Sequence, residues 1–158
     1  MNVREIGDDD VEAVSRLTYE AYAALDHPLD DGYAAELRDV AARQAEADVL
    51  VAVDDDRLVG AVTYVPDSHN RFAEFDGGDV AGFRMLAVAP EGQRRGAGRV
   101  LVEACIARAR AGGKRRLVLH TTPWMPAAHR LYERLGFHRA PELDVYPEIP
   151  LWGYALEL

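Results

Sequence analysis

The stretch that decides the fold is Phe83 to Ala111, FRMLAVAPEGQRRGAGRVLVEACIARARA. Phe83 to Val88 has the length and apolar character of a buried strand, and Pro90 and Gly92 end it. Beyond Gly96 and Gly98 the period changes: Leu101, Val102, Cys105, Ile106 and Ala109 fall on one helical face. The unit is strand, glycine-bearing loop, helix. Such a loop turns several backbone N–H groups, and the positive end of a helix dipole, toward one anion. Gly96 and Gly98 lack Cβ, so the main chain can approach a phosphate closely. Arg94, Arg95 and Arg99 add positive charge around the same point. The stretch reads as a phosphate cradle.

Two common phosphate motifs do not fit it. No Lys-Ser/Thr follows the second glycine, as a Walker loop requires, and the glycine spacing is not that of a dinucleotide fingerprint. The order Gln93-Arg94-Arg95-Gly96-Ala97-Gly98, behind Leu86-Ala87-Val88-Ala89-Pro90, resembles instead the acetyl-CoA loop of the GNAT superfamily of N-acetyltransferases, patterned Gln/Arg-x-x-Gly-x-Gly/Ala. A second stretch, Ala127-Ala128-His129-Arg130-Leu131-Tyr132-Glu133-Arg134-Leu135-Gly136-Phe137, is similar to that family's Asn-x-x-Ala-x-x-x-Tyr-x-x-x-Gly-Phe element. Both anchors lie within Phe83 to Phe137. The N-terminal half resembles the family only in its order of elements.

The remaining chain is consistent with one globular unit. Its 158 residues suffice for a core, and the expectation is a single domain over residues 1–158. With 18 basic and 27 acidic residues the net charge is −9, which argues against bulk attraction to nucleic acid or anionic membrane. Basic residues concentrate between Arg94 and Arg139, where an anionic ligand would be held. No apolar run reaches spanning length, and MNVREIGDDD lacks the features of a signal peptide, so the expected location is cytoplasmic. The lone Cys105 reads as a small core residue.

In order, Asn2 to Ile6 reads as a strand, and Asp8 to Asp10 open a helix running to about Leu25. A second helix is expected from about Asp31 to Ala45. Val49–Val53 and Leu58–Val65 form an antiparallel hairpin around Asp54-Asp55-Asp56, which reads as a solvated turn rather than a metal site. Pro66 to Gly82 is a polar connection. After the Phe83–Ala111 unit come a strand at Leu117–His120, a short helix at Pro126–Leu135, and strands at Phe137–Val145 and Leu151–Leu156 separated by a loop with Pro147 and Pro150. The fold class is mixed α/β with a mostly antiparallel sheet and about four helices.

The resemblance implies a splayed pair of parallel strands, Phe83–Val88 and Leu117–Thr121, with acetyl-CoA as acyl donor between them and no metal. The pantetheine arm would pair with the main chain at Leu86, Ala87 and Val88 like an added strand. The pyrophosphate would rest on amides of Gln93, Arg94, Arg95, Gly96, Ala97, Gly98 and Arg99. An N–H near Val88 would polarise the thioester carbonyl, and an amine of a small molecule or protein would attack directly. The departing thiolate needs a proton, and Tyr132 is assigned that role. A non-catalytic acyl-CoA sensor or interaction domain is the competing reading, and an exposed final strand leaves a homodimer open.

The sequence also departs from the family. Some members carry a glutamate as general base where this chain has Gly82; Glu74, Asp76, Asp79 and His120 are candidates, each reading first as a surface or packing residue. Met125 replaces the usual asparagine, whose bonds would pass to Thr121 or Thr122. Arg84 alternates with Leu86 and Val88, so it should point with them toward the cleft, to meet an acceptor carboxylate or, more simply, an internal acid. His120 is placed on the acceptor side, as are Trp124 and Trp152, for which core packing is the equal alternative. Lys114-Arg115-Arg116 reads as a solvated turn, with a nucleotide phosphate as the lesser alternative.

Overall fold

The computed structural model describes residues 1–25, 27–145 and 149–158. In chain order the elements are β1 (Asn2–Glu5), α1 (Val11–Ala23), α2 (Asp31–Arg38), α3 (Val40–Glu46), β2 (Asp48–Asp54), β3 (Arg57–Val65), β4 (Val80–Val88), α4 (Pro90–Gln93), α5 (Ala97–Ala111), β5 (Arg116–Thr121), α6 (Pro126–Arg134), β6 (His138–Arg139) and β7 (Trp152–Glu157). The seven strands form one sheet in the order β1-β2-β3-β4-β5-β7-β6. Its pairs are antiparallel except β4 with β5. No helix among the described residues is long and apolar enough to cross a membrane.

Alternation explains the layers. Leu50 and Ala52 of β2 and Val62 and Tyr64 of β3 face Leu101, Val102, Cys105 and Ala109 of α5, so the helical stripe read from the sequence is the one buried. Val49, Val51 and Ala61 point the other way, onto Val14 of α1 and Val40 of α3. Beyond β4, the side opposite α5 is closed by Phe75 and Leu143 against Val118 and Ala155.

The continuous helix expected over Asp31 to Ala45 is two helices. Asp30 caps the first, accepting the Tyr33 amide at 2.9 Å, and Asp39 restarts the second, accepting the Ala42 amide at 3.3 Å. The break is held by Arg43, which is 2% exposed. Its guanidinium donates to the carbonyls of Glu36 at 2.6 Å and Leu37 at 2.9 Å, at the end of α2 where the regular helical bonding runs out, Glu36 also accepting from the Asp39 amide at 3.2 Å. Burial pushes Arg43 below its ordinary range, the neighbouring Arg84 adding to the effect. We expect Arg43→Ala to cost about 2–4 kcal/mol, because it opens a cavity and strips buried carbonyls of their donor; a denaturant midpoint unchanged from wild type would refute this.

Two further expectations are corrected. The strand expected over Phe137 to Val145 shortens to β6, because Ala140 turns the chain into a single 3-10 turn at Pro141–Leu143; Val145 returns only as an isolated bridge to Leu151. Pro147 lies outside the described residues. Among the described residues the helices number six rather than about four, from the divided α2 and α3 and the one-turn α4.

Candidate active site

The parallel seam between β4 and β5 is short. Val80, Ala81 and Gly82 pair with Arg116, Leu117 and Val118, and there the pairing stops. β4 continues to Val88, still bonded to β3 on its other side, so the β5-facing edge beyond Gly82 keeps backbone donors and acceptors without a strand neighbour. Met85 marks where the strand is redirected. Its φ is +56°, rare for a residue with a side chain, and the register slips opposite it, between Ala61 and Thr63. This is a β-bulge.

The bulge also switches faces. Phe83 belongs to the core under α5, and Leu86 and Val88, an odd number of residues later, pack against the same cluster. Arg84 therefore does not share their face, contrary to strict alternation. It points into a separate pocket, donating to Glu36 at 3.2 Å, with Glu74 at 3.5 Å from its Nε. The internal ion pair is thus the arrangement present. The Glu74 contact has ion-pair distance without hydrogen-bond alignment.

A cleft of about 880 Å³ opens beside the free edge, walled by Leu86, Ala87 and Val88, by Gln93, Arg94, Gly96, Gly98 and Arg99, and by α6 through Ala127, Ala128 and Leu131. Gly96 adopts φ +80° at the N-cap of α5, a left-handed turn that aims the first amides of a fifteen-residue helix at the cleft mouth. Gly98 packs close to Leu131: a Cβ there would lie 3.2 Å from that side chain. Arg94 and Arg99 reach the cleft. Arg95 does not, pairing with Asp54 of the β2–β3 turn at 2.8 Å. Ala97 is fully buried under the loop. Lys114, Arg115 and Arg116 bond to Gly78, Asp79, Glu142 and Glu157.

A second pocket of about 500 Å³ adjoins the cleft through shared walls at Tyr22, Leu25, Trp124 and Met125. Arg84, His120, Thr121 and Thr122 line it, as do Glu36, Glu74 and Tyr33. Trp124 is stacked flat on His27, with ring centroids 3.7 Å apart, whereas Trp152 packs against His129 and under Arg139. Read from the sequence, Tyr19–Tyr33 was a pocket-lining stretch, but Tyr22 and Tyr33 had no individual role and Glu36 none at all; their only signal was ordinary helical amphipathicity. The space beside Gly82, where a carboxylate was looked for, is filled by Phe75, whose ring would lie 2.6 Å from a Cβ at that position.

Tyr132 is 4% exposed and sits in an aromatic cluster with Phe83, Phe137 and Tyr154. Burial drives its phenol well above the ordinary value, and Cys105 and Tyr154 add to the shift. Tyr22 is raised in the same way, and a charge on Tyr132 would raise it further. Tyr22 walls both the cleft and the smaller pocket, whereas Tyr132 is among the wall residues of neither. Both remain neutral hydroxyls near neutral pH.

His129, on α6 one turn beyond Met125, reaches back to the end of β5. Its Nε2–H donates to the Thr122 carbonyl at 2.9 Å, with Thr121 Oγ1 at 3.4 Å. Burial lowers its pKa, against that bond's opposing effect. The unfolded chain then binds a proton more readily below the ordinary value of about 6.5, so stability falls as pH drops from there and levels off below the folded-state pKa. His129→Gln, which retains an N–H donor, should narrow the difference in thermal midpoint between neutral and mildly acidic buffer; an undiminished difference would contradict this.

The sequence matches the model of the acetyltransferase (GNAT) family over residues 11–137. No curated protein matches it. Among solved structures, yncA of Salmonella typhimurium, determined with its cofactor acetyl-CoA, is 25% identical over 99% of this chain and 92% of its own, with a TM-score of 0.69. A GCN5-related N-acetyltransferase from Kribbella flavida is also 25% identical, over 99% and 97%, with a TM-score of 0.73. The ribosomal-protein-S18-alanine N-acetyltransferase of Escherichia coli, at 22% identity over 99% and 92%, gives 0.71. Opened seam, glycine turn and family match agree, and this chain is an acetyltransferase of the GNAT family.

Proposed function

We propose that the chain transfers the acetyl group of acetyl-CoA directly to a primary amine that enters the smaller pocket. The observation that carries this reading is the free edge of β4 beyond Gly82, opening onto a cleft headed by the α5 N-terminus. The residues fit the acyl donor. Main-chain groups of Leu86, Ala87 and Val88 would receive its extended arm, and the amides from Gln93 to Arg99, with the Arg94 and Arg99 guanidiniums, would hold its pyrophosphate. When bound, acetyl-CoA supplies an activated acyl carbon and a thiolate leaving group.

The chain's own residues do the rest. The β4 backbone near Val88 would donate to the thioester oxygen. Tyr132, a neutral hydroxyl at working pH, would protonate the departing sulfur. Tyr22, Leu25, Trp124 and Met125, shared between the two compartments, would bring amine and thioester together while limiting water. The enclosed volume and aromatic walls of the smaller pocket favour a small amine over a folded protein surface. The test is thiol release from acetyl-CoA across a panel of amines and N-terminal peptides. Release dependent on an amine supports the reading; release unaffected by any of them defeats it.

A further inference from the structure

An amine of ordinary basicity reaches neutral solution as an ammonium ion, and its nitrogen can attack only after a proton leaves. On β4 the position where a carboxylate was sought is Gly82, with Phe75 in the adjoining space. Among the described residues, the titratable groups of the smaller pocket narrow the choice of acceptor. Tyr22 on α1 and Tyr33 on α2 hold their protons, since burial raises both phenols, Tyr33 to about 12. Glu36 on α2 and Glu74 in the loop before β4 are both drawn to Arg84. Asp30 is engaged as the α2 cap. His27 stands on an exposed loop, stacked on Trp124, with Nδ1 at 3.0 Å from the Pro28 carbonyl.

His120 differs from all of these. It is half-buried on a strand rather than a loop and lines the pocket directly. Its Nε2 lies 2.9 Å from the carbonyl oxygen of Leu143. A carbonyl only accepts, so Nε2 carries the hydrogen, and in the neutral ring Nδ1 is left with the lone pair. The charged groups behind it are engaged elsewhere: Arg116 bonds to Glu142 and Glu157, and Arg139 to Asp144.

Resting on the acetyltransferase reading above, we propose that Nδ1 of His120 is the base that takes a proton from the acceptor's ammonium group, with the Leu143 carbonyl fixing the ring's tautomer. The free amine then forms its N–C bond to the acyl carbon as the C–S bond breaks. The nitrogen sheds a second proton, the sulfur gains one, and the proton held on His120 passes to solvent. One amide, one thiol and one proton result from one ammonium and one thioester.

The test uses two acceptors of nearly equal shape. Benzylamine is mostly ammonium near neutral pH, whereas phenylhydrazine is mostly neutral and needs no base. His120→Gln should lower kcat/KM for benzylamine about 100-fold and for phenylhydrazine less than about threefold, after subtraction of the uncatalysed reaction. In the variant the wild-type acidic limb of the benzylamine pH profile should give way to one that follows the ionisation of benzylamine itself, at higher pH. Equal losses on both acceptors, or wild-type transfer to phenylhydrazine alone, would overturn the assignment while leaving the acetyltransferase reading intact. Wild-type transfer to neither, with none to any member of the amine and peptide panel, removes both. Independently of any variant, nitrogen-15 spectra of the wild-type ring should show the neutral form protonated at Nε2, and protonation at Nδ1 would refute the proposal.

Discussion

Tyr132→Phe is expected to lower kcat by about 100- to 1,000-fold while leaving acetyl-CoA affinity and thermal stability close to wild type. The substitution removes one oxygen and keeps the ring that packs on Phe83, Phe137 and Tyr154. What is lost is the hydroxyl available to a departing thiolate. Burial raises the phenol far enough that no loss of this group to ionisation is expected below about pH 10, so the alkaline limb of wild-type turnover should not come from Tyr132. The defect should shrink with thioesters whose thiols are more acidic, because those leaving groups need less help from a proton donor. A variant with wild-type turnover would remove Tyr132 from this role and pass it to Tyr22, whose ring walls both compartments.

Gly98→Asp should weaken acetyl-CoA binding by about 100-fold or more, equivalent to roughly 2.7 kcal/mol. Gly98 occupies the second position of α5, where an acidic residue suits the helix dipole, so folding should be preserved or slightly improved. Its Cβ would need only a small adjustment of the flexible tip of Leu131. The new carboxylate, however, would stand in the proposed pyrophosphate seat and oppose the same dipole's attraction for the ligand. Stability and binding should therefore move apart. A loss of both together would mean that the helix start had been damaged, and retained affinity would displace the pyrophosphate from this loop.

How much of this was legible beforehand depended on whether the signal was local. The strand–loop–helix unit was, because apolar period and glycine punctuation are written in adjacent residues. So was the α5 stripe, which appears in the structure as read. Three things were not. The bulge at Met85 arises from pairing with β3, and nothing in FRMLAV marks it; without it, Arg84 was assigned to the wrong side of β4. The break between α2 and α3 depends on Arg43 reaching back to the carbonyls of Glu36 and Leu37, a tertiary bond with no pattern of its own. The smaller pocket draws on α1, α2, the loop before β4, and β5. Residues so far apart in sequence, each unremarkable locally, become a site only when the sheet brings them together. His120 was visible as a candidate; the contact that selects its tautomer, to Leu143, was not.

The central claim is that the opened seam of the sheet receives acetyl-CoA. Calorimetric titration of the purified, folded protein with acetyl-CoA and with free CoA tests it most directly. One saturable site for each is predicted, with the two competing for it, because both carry the pyrophosphate and the extended arm. Absence of binding by both ligands, in protein shown to be folded, would contradict the account.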